Sequence, residues 1–367
     1  MTATSPKNKT VWPLEPHTRA KHDLLRGYLA AWFPILAKYN KRVVFLDGFA
    51  GPGVYEQGER GSPPIALQTL LDHSYFSQMS KTEFVFLFNE QEAKRHASLE
   101  GIVAEVRASR SVWPSNVTVH VENKNFTDLA EEILQQVGTR GLAPTFAFLD
   151  PFGYRDVPMG LISKLLASPK SELFIYFDFN STMRFSTAGN MDERFEALFG
   201  TDEFKKAPAA GDPNRQQFLH DLYRRQLSKL CGFPYVQSFE MVNSTGKTGH
   251  YLFFCTRSLL GLDQMKSAMW KLAPLGNYRF TDILAGQDVL FMEDVNVEPL
   301  KAALTQQFAG STVAISAIEE YVMTRTPYVK SHIRTRTLKP MQASGSISSP
   351  NQKQVGRFPD GTLVKFA

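Results

Sequence analysis

The chain has 367 residues, 43% of them hydrophobic and 21% charged, with 41 Lys and Arg against 36 Asp and Glu. This length and balance support a large core and more than one domain, and they exclude disordered, collagenous and disulfide-scaffold chains. Its two cysteines, Cys231 and Cys255, suit a reducing compartment. The start, MTATSPKNKTVWPLEPHTRAKHD, has no apolar signal core, and no run approaches the roughly 18 apolar residues of a membrane span, so a cytoplasmic protein is expected.

The predicted elements begin with a helix over Lys21 to Tyr39, in which Leu25, Leu29, Trp32 and Leu36 recur at helical spacing and Pro34 can introduce a kink. Arg42 to Asp47 reads as a buried strand that ends in a glycine-rich segment. A helix follows over Ile65 to Leu71, then a strand over Phe84 to Phe88 and a helix over Glu92 to Ala108. The same alternation gives strands at Val117 to Glu122, Phe146 to Leu149 and Leu173 to Phe177, with helices at Asp128 to Val137 and Met159 to Leu166. Nearly continuous apolar strands alternating with helices indicate an α/β fold whose parallel sheet is covered on both faces. Residues 182–217 break this rhythm and read as a surface insertion. After a helix over Phe218 to Leu230, Tyr235 to Val242 and His250 to Thr256 flank NSTGKTG and form a hairpin.

The excess positive charge is concentrated in the tail. From Ser311 to Ala367 there are eight basic residues and three acidic ones, which matches the +5 of the whole chain. A helix over Val313 to Met323 precedes a second helical stretch, capped by Thr326 with Pro327 in its first turn and stopped at Gly345. Two short strand-like pieces follow. Helix, turn, helix and ribbon outline a winged helix. Its basic residues Arg325, Lys330, Arg334, Arg336, Lys339, Lys353 and Arg357 are the candidates for contact with nucleic-acid phosphates. The expected layout is an N-terminal helical segment (1–40), a core (41–275) carrying the insertion, a connecting segment (276–310) and the winged helix (311–367).

The chemistry concentrates at strand ends. LDGFAGPG, Leu46 to Gly53, places Asp47 at the end of the first strand and supplies Gly48, Gly51 and Gly53 for a sharp turn and close approach to a ligand. It is neither a Walker A loop nor a GxGxxG fingerprint. Glu90, after the second strand, is placed to accept hydrogen bonds from ribose hydroxyls. Asn125 and Phe126, after the third, could bond to and pack on an adenine. LDPFGY, Leu149 to Tyr154, ends the fourth. There, Asp150 and the carbonyl of Pro151 can accept both N–H bonds of a planar amine while Phe152 or Tyr154 stacks on its ring. Such a clamp aims the nitrogen lone pair at an electrophilic methyl group. The cysteines lie outside these motifs, and His22 and His250 read as isolated capping or core histidines without metal spacing.

Five parallel strands closed by an antiparallel hairpin look like a Rossmann-like class I methyltransferase core. KHDLLRGYLAAW (Lys21 to Trp32), FLDGFAGPGVYEQGERGSPPIAL (Phe45 to Leu67), FNEQE (Phe88 to Glu92), FLDPFGY (Phe148 to Tyr154) and FPDGT (Phe358 to Thr362) resemble the three-Cys-motif partner protein family. That family is found mainly in bacteria and named for a neighbouring protein with a three-cysteine motif. The resemblance implies an S-adenosylmethionine fold and leaves the substrate open. DGFAGPG and DPFGY also resemble the DxFAGxG and DPPY motifs of amino methyltransferases that act on nucleic-acid bases. Carried over by position, Asp47, Gly48, Phe49, Gly51 and Gly53 would meet the methionine part of S-adenosylmethionine, Glu90 its ribose, and Asp150, Pro151, Phe152 and Tyr154 the target amine. Phe152 and Gly153 depart from DPPY, which leaves the choice of base open. The expectation is an amino methyltransferase acting on DNA or RNA. A weakly catalytic accessory subunit of a three-Cys-motif protein is the alternative, and methylation of a small molecule or a protein is a third reading.

Overall fold

The computed structural model describes residues 9–151, 157–178, 192–243, 246, 248–273, 276–281 and 295–367. Two compact units are distinguished, Met1–Ser258 with Phe280–Ala285, and Leu259–Arg279 with Gly286–Ala367.

The first unit is built on a mixed sheet. Its strands are β1 (Arg42–Asp47), β2 (Glu83–Asn89), β3 (Val117–Glu122), β4 (Thr145–Leu149), β5 (Glu172–Phe177), β6 (Tyr235–Val242), β7 (Thr248–Thr256) and the short β8 (Arg279–Thr281). They lie in the order β3-β2-β1-β4-β5-β7-β6-β8. β1 pairs in parallel with β2 (Val44 opposite Val85) and with β4 (Val44 opposite Thr145), whereas β7 runs antiparallel to β5, setting Tyr251 opposite Phe177. This is the α/β, Rossmann-like winding of class I methyltransferases, closed by an antiparallel hairpin. The strand order reverses between β1 and β4, and an open sheet binds ligands beyond the carboxyl ends of its strands at such a switch.

The helices of this unit are α1 (Pro16–Ala37), α2 (Ser62–Leu71), α3 (Ala93–Ala108), α4 (Phe126–Val137), α5 (Met159–Leu165), α6 (Asp192–Phe199) and α7 (Asn214–Lys229). α1 starts five residues before the expected Lys21, because Pro16 at its first position lacks the N–H that a helix start leaves unbonded. Its Tyr28, Trp32 and Phe33 pack on phenylalanines of the strands, with Trp32 5.8 Å from Phe146 and Phe33 5.8 Å from Phe84. The surface insertion expected over 182–217 is corrected where that segment is described. Phe195, Leu198 and Phe199 of α6 and Phe204 beyond it are buried, and Phe199 lies 6.1 Å from Phe177 and 5.9 Å from Tyr223. These apolar residues are spaced irregularly because a short helix and a single turn share the work of covering the sheet. Residues 179–191 lie outside the described residues. Among the described residues no helix is long and apolar enough to cross a membrane.

One buried acid gives the first unit a pH dependence. Glu172 accepts hydrogen bonds from the hydroxyls of Tyr28 and Thr256, both at 2.6 Å. Burial pushes its carboxyl from 4.5 up to about 7, against those two hydrogen bonds. Between these values the unfolded chain loses the proton first, so stability falls as pH rises from about 4.5 to about 7 and is level above. The shift corresponds to about 3 kcal/mol. Glu172→Gln should therefore gain stability relative to wild type at pH 8 but not at pH 4. Urea unfolding at both values checks this, and an equal difference at both would refute it.

The second unit contains α8 (Leu259–Leu272), α9 (Glu298–Phe308), β9 (Thr312–Ala314), α10 (Ile315–Arg325), a 3-10 turn (Lys330–His332), a π-helical turn (Arg334–Leu338), α11 (Lys339–Ala343), β10 (Ile347–Ser348) and β11 (Leu363–Phe366). The strands form an antiparallel sheet in the order β10-β11-β9. α10 begins two residues after the expected Val313, because Val313 and Ala314 pair with β11. Thr326 accepts the Tyr328 N–H at 3.2 Å. The expected second helix is interrupted, as Pro340 has no N–H to continue an α-helical ladder, and Leu338 N instead donates to Ile333 O at 2.8 Å. Lys266 of α8 is buried, and its ammonium donates to the carbonyls of Met323 and Thr326, both at 2.8 Å. α8 therefore belongs with the tail rather than with the core segment 41–275 in which the sequence places it.

Candidate active site

The glycine loop leaves β1 directly. Gly48 N donates to Phe148 O at 3.1 Å, and Ala50 N to Asn89 O at 2.8 Å, tying the turn to β4 and β2. A Cβ at Gly48 would sit 2.7 Å from Leu149 and Phe126 side-chain atoms, and Gly53 holds a left-handed φ of 77°, so these glycines answer to packing and backbone respectively. Asp47 is fully buried and accepts the Phe49 N–H at 3.2 Å. Burial, helped by the nearby Asp150 and Glu90 carboxylates, pushes Asp47 up to about 7 against the Ser62 hydroxyl and the Phe49 N–H. Its Oδ2 has no hydrogen-bond partner among the described residues.

A cavity of about 410 Å³ opens beside this loop, lined by Phe49, Asn89, Glu90, Glu92, Arg95 and Phe126 among others, a size within the range of small-molecule sites. Glu90 accepts the Glu92 N–H at 2.8 Å. Burial raises its pKa, opposed by the Glu92 N–H, Arg95 and the Gly51 N–H. A carboxylate has about four acceptor positions, so these contacts leave capacity for a diol. Phe49 and Phe126 stand 5.2 Å apart on the apolar side. Asn125 is not a lining residue, and its Oδ1 caps α4 by accepting Thr127 N at 2.8 Å.

Three contributors are assigned no role from the sequence, although two of them, Asn89 and Lys21, lie in the quoted motifs. Asn89 is buried and donates to Gly48 O at 3.1 Å and Lys124 O at 3.0 Å, joining the ends of three strands. Trp12 accepts Glu56 N through its carbonyl at 3.1 Å, and its ring lies 5.0 Å from the Arg95 guanidinium, so a polar-looking start packs beside the cavity. Lys21 of α1 is buried and reaches Asp150 at 2.5 Å. Asp150 directly follows β4, and its Oδ2 is held by this ammonium. Pro151 is buried beside it, while Phe152 and Tyr154 lie outside the described residues.

The histidines are not isolated. His250 lies 4.6 Å from the Tyr176 ring and 5.5 Å from His17, and its Nδ1 is 3.7 Å from Asp178 Oδ1. His22 packs 5.7 Å from Tyr55. Burial and the charge of Lys21 lower both His17 and His22 to about 3. Sequence spacing does not show this cluster, because α1, β5 and β7 converge only in the folded sheet. Cys231 and Cys255 are buried; burial pushes the Cys231 thiol up to about 12 and Cys255 upward as well, so neither is a thiolate near neutrality. Among the described residues no group of His, Cys, Asp and Glu could hold a metal ion.

In the second unit, Glu319 divides the expected basic set. Arg334 donates to Glu319 Oε1 through Nε at 3.0 Å and Nη2 at 2.7 Å, and also to Asp360, while Lys330 lies 2.8 Å from Glu319 Oε2. Both cations are thus engaged within the unit. Arg325, Arg336, Lys339, Lys353 and Arg357 are exposed. A cleft of about 670 Å³ is lined by Arg334, Thr335, Lys353, Gly356 and Arg357 among others. The loop over 349–362 is braced by Gly356 N donating to Gln342 Oε1 at 2.8 Å and Leu363 N donating to Asn351 Oδ1 at 2.8 Å, and it carries Val355 81% exposed.

The fold and strand-end geometry define a protein with a methyltransferase-like α/β core. No protein-family model and no curated protein matches the sequence. Among solved structures the chain is similar to a DUF519 protein from Legionella pneumophila str. Philadelphia 1, at 11% identity over 70% of this chain and 92% of that one, with a TM-score of 0.37. It is also similar to human methyltransferase-like protein 13 in complex with SAH, at 13% identity over 69% and 91% with a TM-score of 0.34. Spermidine synthase from Thermotoga maritima matches at 9% identity over 73% and 67%, with a TM-score of 0.31.

Proposed function

We propose that this protein is an S-adenosylmethionine-dependent amino methyltransferase acting on nucleic acid, with its basic C-terminal region serving as a winged-helix docking module. The observation that carries the reading is one cavity at the strand ends that gathers Phe49 of the glycine loop, Glu90 after β2 and Phe126 of α4. Glu90 suits the two hydroxyls of a ribose, the rings suit an adenine, and the close backbone of Gly48 to Gly53 suits the methionine chain. When bound, the cofactor supplies an electrophilic methyl group. Asp150 and the Pro151 carbonyl would hold the acceptor amine at the adjoining strand end.

The helix, strand, two helical segments and paired strands of residues 298–366 support the docking role, as does the exposed basic set. The Lys21 to Asp150 ion pair favours a second reading, a weakly catalytic subunit that accompanies a three-Cys-motif protein, since the residue assigned to the amine already has a cation on one oxygen.

Calorimetry with S-adenosylmethionine tests the core of the proposal. Glu90→Ala should weaken binding by about 1.5–3 kcal/mol, the worth of hydrogen bonds to a charged group. Absence of binding by the wild type at millimolar cofactor refutes the assignment, and an unchanged affinity in the variant removes Glu90 from the ribose.

A further inference from the structure

The crevice has a second half, beyond β4 and β5. Asp150 follows β4, Tyr176 stands in β5 and Asp178 follows it. His250 enters on β7, whose antiparallel register returns its amino end to the ligand-binding edge of the sheet. α1 adds Lys21 and His17. The Tyr176 ring is the hub, with the Lys21 ammonium 4.3 Å from its centroid and the His250 ring 4.6 Å away.

Two histidines of this unit contrast sharply. His220 has both ring nitrogens at 3.1 Å from side-chain oxygens, of Asp221 and Ser238, as a structural histidine should. The Nδ1 of His250 is buried without a hydrogen-bond partner among the described residues and faces Asp178 from 3.7 Å. That distance is within ion-pair reach and too long for a hydrogen bond. An imidazole and its orienting carboxylate often stand slightly apart until a ligand draws them together.

We propose that His250, oriented by Asp178, is the base that takes the proton released at the acceptor nitrogen; this rests on the methyl-transfer reading above. The nitrogen lone pair forms the N–C bond as the S–C bond breaks, and its electrons return to sulfur, leaving a neutral thioether. The methylated nitrogen then carries an extra proton and a positive charge. The imidazole accepts that proton, Asp178 balances the resulting imidazolium, and solvent removes the proton after product leaves. Lys21 is a positioning residue that fixes the Asp150 carboxylate.

Among the described residues the groups facing His250 are His17 from α1, Tyr176 from β5 and Asp178 just after that strand, with Lys21 sharing the Tyr176 ring. Its register partner on β6 is Met241, uncharged, and Glu240 stands opposite the neighbouring Tyr251.

The test uses the full chain, labelled S-adenosylmethionine, and duplex DNA or transfer RNA as acceptor. His250→Gln should lower kcat by about 10²-fold and keep cofactor affinity by calorimetry. Asp178→Asn should lower kcat less, and it serves as the second variant if His250→Gln does not fold. A wild-type rate in His250→Gln, or in Asp178→Asn, overturns the inference alone. A wild type that methylates neither acceptor overturns the methyl-transfer reading and the inference with it.

Discussion

Asp150→Asn is expected to reduce methyl transfer by about 10²–10³-fold, the usual effect of removing one group that positions or stabilises reacting charge, with cofactor affinity unchanged. Asp150→Ala should do the same and also destabilise the protein. The Lys21 side chain is 6% exposed and that of Asp150 25%, so alanine leaves a buried ammonium without its counter-charge, a loss of about 2–3 kcal/mol after allowing for the partial exposure of the carboxylate. Asparagine also removes the charge but keeps an oxygen that accepts from Lys21, so its loss of stability should be smaller. Lys21→Met should restore stability to Asp150→Ala in the double variant without restoring activity, because an apolar pair of similar volume needs no charge balance. Urea unfolding and labelled methyl transfer read the two quantities side by side. Full activity in Asp150→Asn would remove the amine from this carboxylate and favour the accessory-subunit reading.

Lys353→Ala with Arg357→Ala is expected to weaken nucleic-acid binding by more than about tenfold at low salt and to lower the slope of log affinity against log salt by about 2, one for each phosphate that is no longer neutralised. These two side chains are exposed on the braced loop and line the basic cleft. Arg334→Ala should behave differently. Its guanidinium is bonded to Glu319 and Asp360, so its loss should reduce the stability of the second unit and leave the salt slope nearly unchanged. Removing the chain from Ser311 onward is the poorer probe, since Ile318 and Val322 are fully buried there and their loss would open the core of that unit. Anisotropy titrations of duplex DNA and of RNA across a salt series make the measurement. A double variant with wild-type affinity and slope would assign the cleft to another kind of partner.

The sequence alone determined the alternation of strands and helices, because a sheet covered on both faces demands apolar runs such as RVVFLD, FVFLF and FAFL. It also placed Asp47, Gly48, Gly53, Glu90 and Asp150 at strand ends, since the motifs abut those runs directly. Element starts were less legible. α1 begins at Pro16 and α4 at Phe126 because caps and an N-terminal proline, rather than apolar periodicity, set helix limits. Only the tertiary structure could bring Lys21 onto Asp150, 129 residues away, or His17 beside His250. Such partners come from elements whose adjacency depends on how the sheet is wound, and no local period encodes it. The same reason separates the basic residues of the tail: charge composition counts Arg334 and Lys353 alike, whereas the fold sets Glu319 and Asp360 against one and leaves the other exposed to solvent.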